Sequence, residues 1–187
     1  MEHLKTTVKH AGKNYSIEGW CDAKFSAARD RFVQNFAEGL EIGACIACNI
    51  DGRPVMDLWG GFADKAGTRP WEKDTIVNMM SVSKAITGIC VYILADRGLI
   101  DPEAPVARYW PEFAANGKEK LQLKYVLDHR AGMALVSEAI PRGSVYDHAV
   151  MAAALARQSA AWEPGSDAGY HVLTQGFILA EVVRRVT

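Results

Sequence analysis

The fold prediction rests on the stretch Asn78-Met79-Met80-Ser81-Val82-Ser83-Lys84 and on the apolar run that follows it. From Val82 to Ala95 most side chains are apolar, and the exceptions are Ser83, Lys84, Thr87 and Gly88. Gly98 then supplies a signal that ends a helix. A helix that is apolar on every side is typical of a protein core. The sequence therefore predicts a buried helix that begins at Ser81.

Ser81 and Lys84 form an S-x-x-K pair, so they are expected on the same face of the helix, one turn apart. A serine hydroxyl is a weak nucleophile at neutral pH and needs a neighbouring base, which the Lys84 amine can provide. The Ser81 amide, at a helix start, can donate to a developing oxyanion. Tyr170 follows a glycine-containing loop ahead of a helix and is the best candidate by type for a second base, because catalytic groups converge in the fold.

Each of these residues also has an ordinary structural explanation. Ser81 can cap the helix, Lys84 can extend to solvent, and Tyr170 can be a core aromatic with its hydroxyl in water. A lone S-x-x-K is a weak signal. Its position at the start of the most apolar helix favours the catalytic interpretation.

Four further residues are weaker candidates. His129 and His171 can be offered as triad histidines, but a Ser-Lys-Tyr site needs none. We expect His129 to fix a turn and leave the role of His171, beside Tyr170, open. Trp110 and Trp162 can line a substrate pocket, although packing in the core is the expected role.

Composition sets limits on the function. The 187 residues are 49% hydrophobic and 23% charged, with a net charge of −1, a profile typical of one globular domain. No basic block indicates a nucleic-acid or membrane partner, and the longest apolar run is too short and interrupted to span a bilayer. The polar start shows no secretory signal, so the cytoplasm is the expected location. No cofactor is expected.

Cys45 and Cys48 form a C-x-x-C, which can be read as a redox or metal pair. They lie in an apolar segment that predicts a buried strand, where residues three apart face opposite sides of the sheet. No second pair completes a zinc site. We therefore expect small buried core residues and no metal.

The remaining chain predicts a helix, a hairpin and then mostly helices. An extended lead-in over Lys13–Trp20 precedes helix Phe25–Glu38, strands Leu40–Ile50 and Arg53–Phe62 joined by an Asp51-Gly52 turn, and helices Leu121–His129, Ala149–Gln158 and His171–Val186. No later strand pairs with the hairpin, which is marginal alone. We therefore expect part of a larger protein.

Several segments together resemble the serine β-lactamase and penicillin-binding-protein superfamily, most closely its family VIII carboxylesterases and class C β-lactamases. They are Met80-Ser81-Val82-Ser83-Lys84-Ala85, Leu94-Ala95-Asp96-Arg97-Gly98-Leu99-Ile100-Asp101, Pro105-Val106, Val126-Leu127-Asp128-His129-Arg130-Ala131-Gly132-Met133, Glu163-Pro164-Gly165 and Gly169-Tyr170-His171. The similarity runs from about Phe25 to Thr187. Several motifs in the right order are far more specific than any one of them.

The resemblance implies an α/β (α+β) β-lactamase/DD-peptidase-like fold, here truncated to one incomplete domain. Residues 1–75 would belong to the α/β lobe and 76–187 to the helical lobe. It also implies that Ser81 is the acylated nucleophile, that Lys84 accepts its proton, and that Tyr170 shuttles the proton as general base and acid.

Two departures from the family pattern matter. The second motif in β-lactamases is Y-x-N, but here its third position is Val172. Esterase members commonly lack that asparagine, so Val172 favours ester hydrolysis. The third motif, which would supply the other oxyanion donor, is absent and is expected from a missing C-terminal half or another chain.

We therefore expect a serine hydrolase that forms an acyl-enzyme with small-molecule esters and is feebly active in these 187 residues. The alternatives are a β-lactamase or D-amino-acid peptidase, or a non-catalytic fragment or binding module of the same fold.

Overall fold

A computed structural model describes residues 2–187, which form two compact units that meet in sequence between Asn78 and Met79. The first unit contains β1 (Glu2–His10), β2 (Lys13–Cys21), α1 (Ser26–Ala37), β3 (Gly43–Ile50) and β4 (Arg53–Gly61). The second unit contains α2 (Ser83–Asp96), α3 (Leu123–Leu127), α4 (His148–Arg157) and α5 (Thr174–Val186), joined by short 3-10 turns and loops.

The strands of the first unit form an antiparallel sheet in the order β1-β2-β4-β3. Its core lies where buried side chains of the sheet meet α1. Tyr15 of β2 packs against Phe36 of α1, with ring centroids 5.8 Å apart. Ile17 and Leu58 are completely buried beside them. The predicted helix Phe25–Glu38 is confirmed within one residue at each end.

The N-terminal hairpin was not expected from the sequence, which predicted only an extended lead-in over Lys13–Trp20. β1 and β2 pair along their length, and β2 also pairs with β4, so the predicted hairpin is not alone. Ala11 and Gly12 make the tight turn with φ of 47° and 78°, values suited to a two-residue hairpin turn. The signal was weak because β1 is mostly polar on both faces, as an edge strand can be.

The second hairpin, β3–β4, is confirmed, and Asp51 and Gly52 adopt φ of 50° and 74° in its turn. The expectation that Cys45 and Cys48 are buried is wrong. Cys45 is exposed and Cys48 is only half-buried. The reason is that the two cysteines lie on opposite faces of β3: Cys48 packs at the margin of the core, and the face that carries Cys45 is not covered.

The core of the second unit is formed by α4, α5 and the segments around α3. The expected alanine-rich helix is confirmed as α4, and Asp147 caps it by accepting a hydrogen bond from the Val150 N–H at 3.1 Å. Trp110 is 2% exposed and packs against Phe113, as expected for a core residue. The predicted final helix begins three residues later than expected, at Thr174.

The helix α2 differs most from expectation. It ends at Asp96 and is followed by Gly98 with φ of 71°, as predicted. However, it is not buried: Ile86 and Ile89 are 59% and 55% exposed, and only Val91 and Leu94 contribute to the core. One face of α2 therefore presents apolar side chains that the described part of the chain leaves uncovered.

No helix in residues 2–187 is long and apolar enough to cross a membrane.

Candidate active site

The first elements of the site lie at the start of α2. A 3-10 turn over Met80–Val82 runs directly into α2 and carries Ser81. Met80 adopts φ of 46°, a conformation uncommon for a residue other than glycine, immediately before the serine. The Ser83 hydroxyl donates to the Met80 carbonyl at 2.7 Å and closes this turn. The backbone thus places Ser81 at the N-terminal end of α2.

Lys84 lies one turn beyond Ser81 and points back to it. Its Nζ donates to Ser81 Oγ at 3.2 Å. The i, i+3 spacing on a helix produces this contact directly, since such residues share a face. Lys84 is half-buried and therefore does not extend freely into solvent.

Tyr170 reaches the same place from a distant part of the sequence. The Lys84 Nζ lies 4.9 Å from the centroid of the Tyr170 ring. Hydrogen bonds with Ser81 and with Lys84, followed by the charge of Lys84, lower the pKa of the Tyr170 phenol from its ordinary value. Both effects favour the phenolate. The structure thus brings together all three residues that the sequence singled out.

Two histidines, His129 and His171, lie close to Tyr170. The His129 ring makes an edge contact with the Tyr170 ring at 4.8 Å between centroids. His129 occupies the turn after α3 with φ of 67°, so the expected turn position is confirmed. His171 is completely buried, and its Nε2 accepts a hydrogen bond from the Met133 N–H at 3.0 Å. No local sequence pattern could assign His171, because two of its partners, Met133 and His129, lie 38 and 42 positions away.

Burial is the main cause that lowers the pKa of both histidines. For His129 the charge of Lys84 acts in the same direction. For His171, burial outweighs its bond to the Gly169 carbonyl, which acts in the opposite direction. Both rings are therefore held in the neutral form more strongly than a histidine in water.

Two cavities flank Lys84. The first, about 370 Å³, is lined mainly by apolar side chains from α5 and its approach, and includes Val145, Val172, Leu173 and Phe177. The second, about 380 Å³, is more polar and includes Lys124, Asp128, His129 and Gln175. Trp162 lines neither cavity; it packs over Gly169, and its ring centroid lies 6.2 Å from that of His171.

No group of three or more histidine, cysteine or acidic side chains suited to a metal ion occurs within residues 2–187. The arrangement that does occur is an alcohol, an amine and a phenol within contact of one another. Such a set can activate an oxygen nucleophile and move its proton.

Known proteins share this part of the fold. The family described as Beta-lactamase matches residues 30–187. Esterase/beta-lactamase LipL of Mycobacterium tuberculosis is 40% identical over 171 residues, which cover 91% of this chain and 39% of LipL. Esterase EstB of Burkholderia gladioli is 34% identical over 122 residues, which cover 62% of this chain and 30% of EstB.

Solved structures agree. The crystal structure of a family VIII carboxylesterase superposes with a TM-score of 0.85 at 45% identity, covering 91% of this chain and 46% of that chain. A penicillin-binding protein homologue from Caulobacter crescentus gives a TM-score of 0.87 at 37% identity, again with 91% and 46% coverage. The chain thus spans less than half the length of these relatives. By its match over residues 30–187, the chain belongs to the beta-lactamase family.

Proposed function

We propose that this chain carries the nucleophile and the proton-transfer groups of a serine hydrolase that cleaves carboxylic esters through an acyl-enzyme. The observation that carries the proposal is the contact of 3.2 Å between Lys84 Nζ and Ser81 Oγ beside Tyr170. The family match supports a hydrolase of esterase or beta-lactamase type; the activity, the nucleophile, the intermediate and the substrate class are our proposal.

In the proposed acylation step, Ser81 Oγ attacks the carbonyl carbon of the ester while its proton passes to the phenolate of Tyr170, which the Lys84 cation stabilises. The tetrahedral intermediate collapses as the C–O bond to the alcohol breaks, and Tyr170 returns the proton to the departing alcohol oxygen. Water then attacks the acyl-enzyme, with the same groups removing its proton. The carboxylic acid leaves and the Ser81 hydroxyl is restored. Proton transfer of this kind contributes about a hundredfold to ten-thousandfold in rate.

Esters are favoured over lactams by the cavity beside Lys84. Val172, Leu173 and Phe177 give it an apolar lining suited to an acyl chain. Val172 offers no amide that could hold a polar side chain of a β-lactam. Both curated relatives described above carry the word esterase in their names.

β-Lactam hydrolysis is the second candidate, because one relative is named both an esterase and a beta-lactamase. The chemistry of acylation is the same, since a lactam amide takes the place of the ester. A D-amino-acid peptidase would use the same steps, with an amine as the leaving group.

We further propose that the domain is completed by a segment that covers α2 and supplies the second oxyanion donor, either from the same polypeptide or from another chain. The exposed apolar face of α2 supports this proposal, together with the fraction of each relative that the chain spans. Removing one oxyanion donor costs about a hundredfold or more in rate, so the 187 residues alone should be slow. A non-catalytic module of the same fold is the alternative to this proposal.

Hydrolysis of p-nitrophenyl butyrate and of nitrocefin tests the proposal. We expect slow ester hydrolysis that is lost in Ser81→Ala and kept in Ser159→Ala, whose serine is exposed and lies outside the site. Ester hydrolysis that survives Ser81→Ala would overturn the assignment of the nucleophile. Nitrocefin hydrolysis faster than ester hydrolysis would overturn the substrate class.

A further inference from the structure

We propose that His129 is a positioning residue that holds Tyr170 against Ser81 and Lys84, and that it can do so only as a neutral imidazole with its proton on Nε2. The consequence for catalysis rests on the proposed function, whereas the placement of Tyr170 does not. Protonation of His129 would act as a switch that releases the phenol in acid.

The backbone on both sides of Tyr170 is bound to this one residue. The Gly169 N–H donates to the His129 carbonyl at 3.1 Å. The His171 N–H donates to His129 Nδ1 at 3.2 Å. The imidazole ring also contacts the Tyr170 ring at its edge, with centroids 4.8 Å apart. Three contacts from one side chain and its backbone therefore fix the position and direction of the phenol.

The tautomer follows from these partners. A backbone N–H can only donate, so His129 Nδ1 must accept and the ring proton must lie on Nε2. His171 has the opposite tautomer, because its Nε2 accepts from the Met133 N–H and its Nδ1 donates to the Gly169 carbonyl at 2.5 Å. In each ring the only lone pair is already engaged. Neither histidine can therefore serve as the base for Ser81.

Acid would break the hydrogen bond that the His171 N–H donates to His129 Nδ1. Protonated His129 carries N–H on both ring nitrogens, so its Nδ1–H would face the His171 N–H, and the hydrogen bond could not form. The groups around His129 are the cation of Lys84 and the phenol of Tyr92 on α2, Lys124 on α3, Asp128 after it with its partner Arg130, and Tyr170 and His171.

These surroundings keep His129 neutral near pH 7. Burial and the nearby Lys84 charge lower its pKa below the usual 6.5, and the opposing effect of Asp128 is smaller. A histidine with a lowered folded pKa contributes its full stability above the unfolded value. That contribution falls as the pH drops below 6.5 and the unfolded chain takes up the proton more readily. The positioning contact is lost when the pH also passes below the lowered pKa.

Two variants separate positioning from other roles. His129→Asn places an amide oxygen near the former Nδ1, and asparagine tolerates the positive φ of this turn. It should therefore keep the acceptor and lose the titration. His129→Ala removes the acceptor and the ring contact together. His3→Ala is the matched control, because His3 is exposed on β1 in the other unit.

The first readout does not depend on activity. The chain has six tyrosines, and labelling their phenolic carbons allows the Tyr170 titration to be followed by NMR and assigned with Tyr170→Phe. We expect the lowered pKa of Tyr170 to persist in His129→Asn and to return towards its ordinary value in His129→Ala. Long-range nitrogen–proton NMR spectra should show the proton on Nε2 of His129 and on Nδ1 of His171.

The second readout is the pH profile of Ser81 labelling by a fluorophosphonate. His129→Ala should label about a hundredfold more slowly, since a misplacement of about 1 Å can cost that much. His129→Asn should be labelled as fast as the wild type near pH 7.5. Its pH profile should lack the fall in labelling rate at low pH that protonation of His129 causes. Should His129→Ala fail to fold, the asparagine variant alone decides.

An unchanged Tyr170 titration in folded His129→Ala, or a titration in His129→Asn that returns to the ordinary value, would overturn the inference. A wild-type protein that never labels, yet shows the expected titrations and tautomers, would reject the proposed function and leave the positioning role intact.

Discussion

Lys84 is the residue on which the site depends most, because it contacts both of the other groups. It donates to Ser81 Oγ and lies 4.9 Å from the Tyr170 ring centroid. Ser81 and Tyr170 are 89 positions apart in the sequence, and Lys84 contacts both of them. The other charged side chains around its cavity have partners of their own: Asp128 is paired with Arg130 at 2.7 Å, and Lys124 is paired with Glu103.

Replacing Lys84 by methionine should keep the aliphatic stem and remove the amine. We expect Ser81 labelling to fall by about a hundredfold to ten-thousandfold, because the cation that stabilises the phenolate of Tyr170 for proton transfer is lost. The pKa of Tyr170 should rise at the same time, since one of its hydrogen bonds and the nearby charge disappear. Lys120→Met, at an exposed position, is the control. Labelling as fast as in the wild type would rule out this role for Lys84.

Val172 should determine the choice between ester and lactam. Val172→Asn places an amide on the lining of the apolar cavity, where it can hydrogen-bond a polar substrate side chain. We expect the ratio of nitrocefin to p-nitrophenyl butyrate hydrolysis to rise. Leu173→Asn changes the adjacent lining residue and serves as the control. A ratio that rises equally in both variants would show that polarity alone, and not this position, matters.

The three residues that meet at the candidate site could be predicted from the sequence, whereas the contacts of the two nearby histidines could not. Ser81 and Lys84 are joined by local helix geometry, so their spacing alone predicts the contact. The prediction that Tyr170 joins them depended on the type of residue and on the family resemblance. The contact between His171 and His129 joins a backbone amide to a ring nitrogen across 42 positions, and no local pattern encodes such a bond.

Among the elements, α4 has its C-terminal carbonyls bound by a buried lysine. Lys118 is completely buried, and its Nζ donates to the Ala115 carbonyl at 2.7 Å, to the Ala156 carbonyl at 3.0 Å and to the Gln158 carbonyl. The last carbonyls of a helix lack partners within the helix, and a cation near them is favourable. Burial lowers the pKa of Lys118.

Lys118→Met should therefore destabilise the fold without touching the site. An unsatisfied buried carbonyl costs about 1–3 kcal/mol, so we expect at least that loss in the free energy of unfolding. Urea unfolding, compared with Lys120→Met at the exposed position two residues on, measures the difference. Equal stability of the two variants would show that the carbonyls find other partners.

The elements were predicted best where local signals agree. The Asp51-Gly52 turn and the Asp147 cap have strong residue preferences, and both lie where expected. The prediction that α2 is buried was wrong, because composition measures how apolar a helix is and not whether another segment covers it. β1 was missed for a different reason: its inner face carries only two apolar side chains, Leu4 and Val8, which is too weak a pattern to detect.

For the whole molecule, the exposed face of α2 is the main unexplained apolar surface. Ile86, Ile89 and Ile93 lie on this helix and are all exposed. Contiguous exposed apolar side chains of this kind are typical of interaction surfaces. The surface is consistent with the proposal that a further segment completes the domain.

If that face is uncovered in these 187 residues, polar substitutions there should be tolerated. We expect Ile86→Gln with Ile89→Gln to lower the binding of an apolar fluorescent dye and to leave the melting temperature nearly unchanged. Val91→Gln on the buried side should lower the melting temperature, because it places an amide in the core. A large loss of stability in the double variant would contradict the exposed position of this face.

Mapping the site of covalent modification is the sharpest test of Ser81 as the nucleophile. The protein is treated with a fluorophosphonate, digested, and its peptides are analysed by mass spectrometry, with Lys84→Met and Tyr170→Phe treated in parallel. We expect a single adduct on Ser81 that is strongly reduced in both variants. An adduct on another serine, or an adduct on Ser81 that forms equally fast without the amine and the phenol, would contradict it.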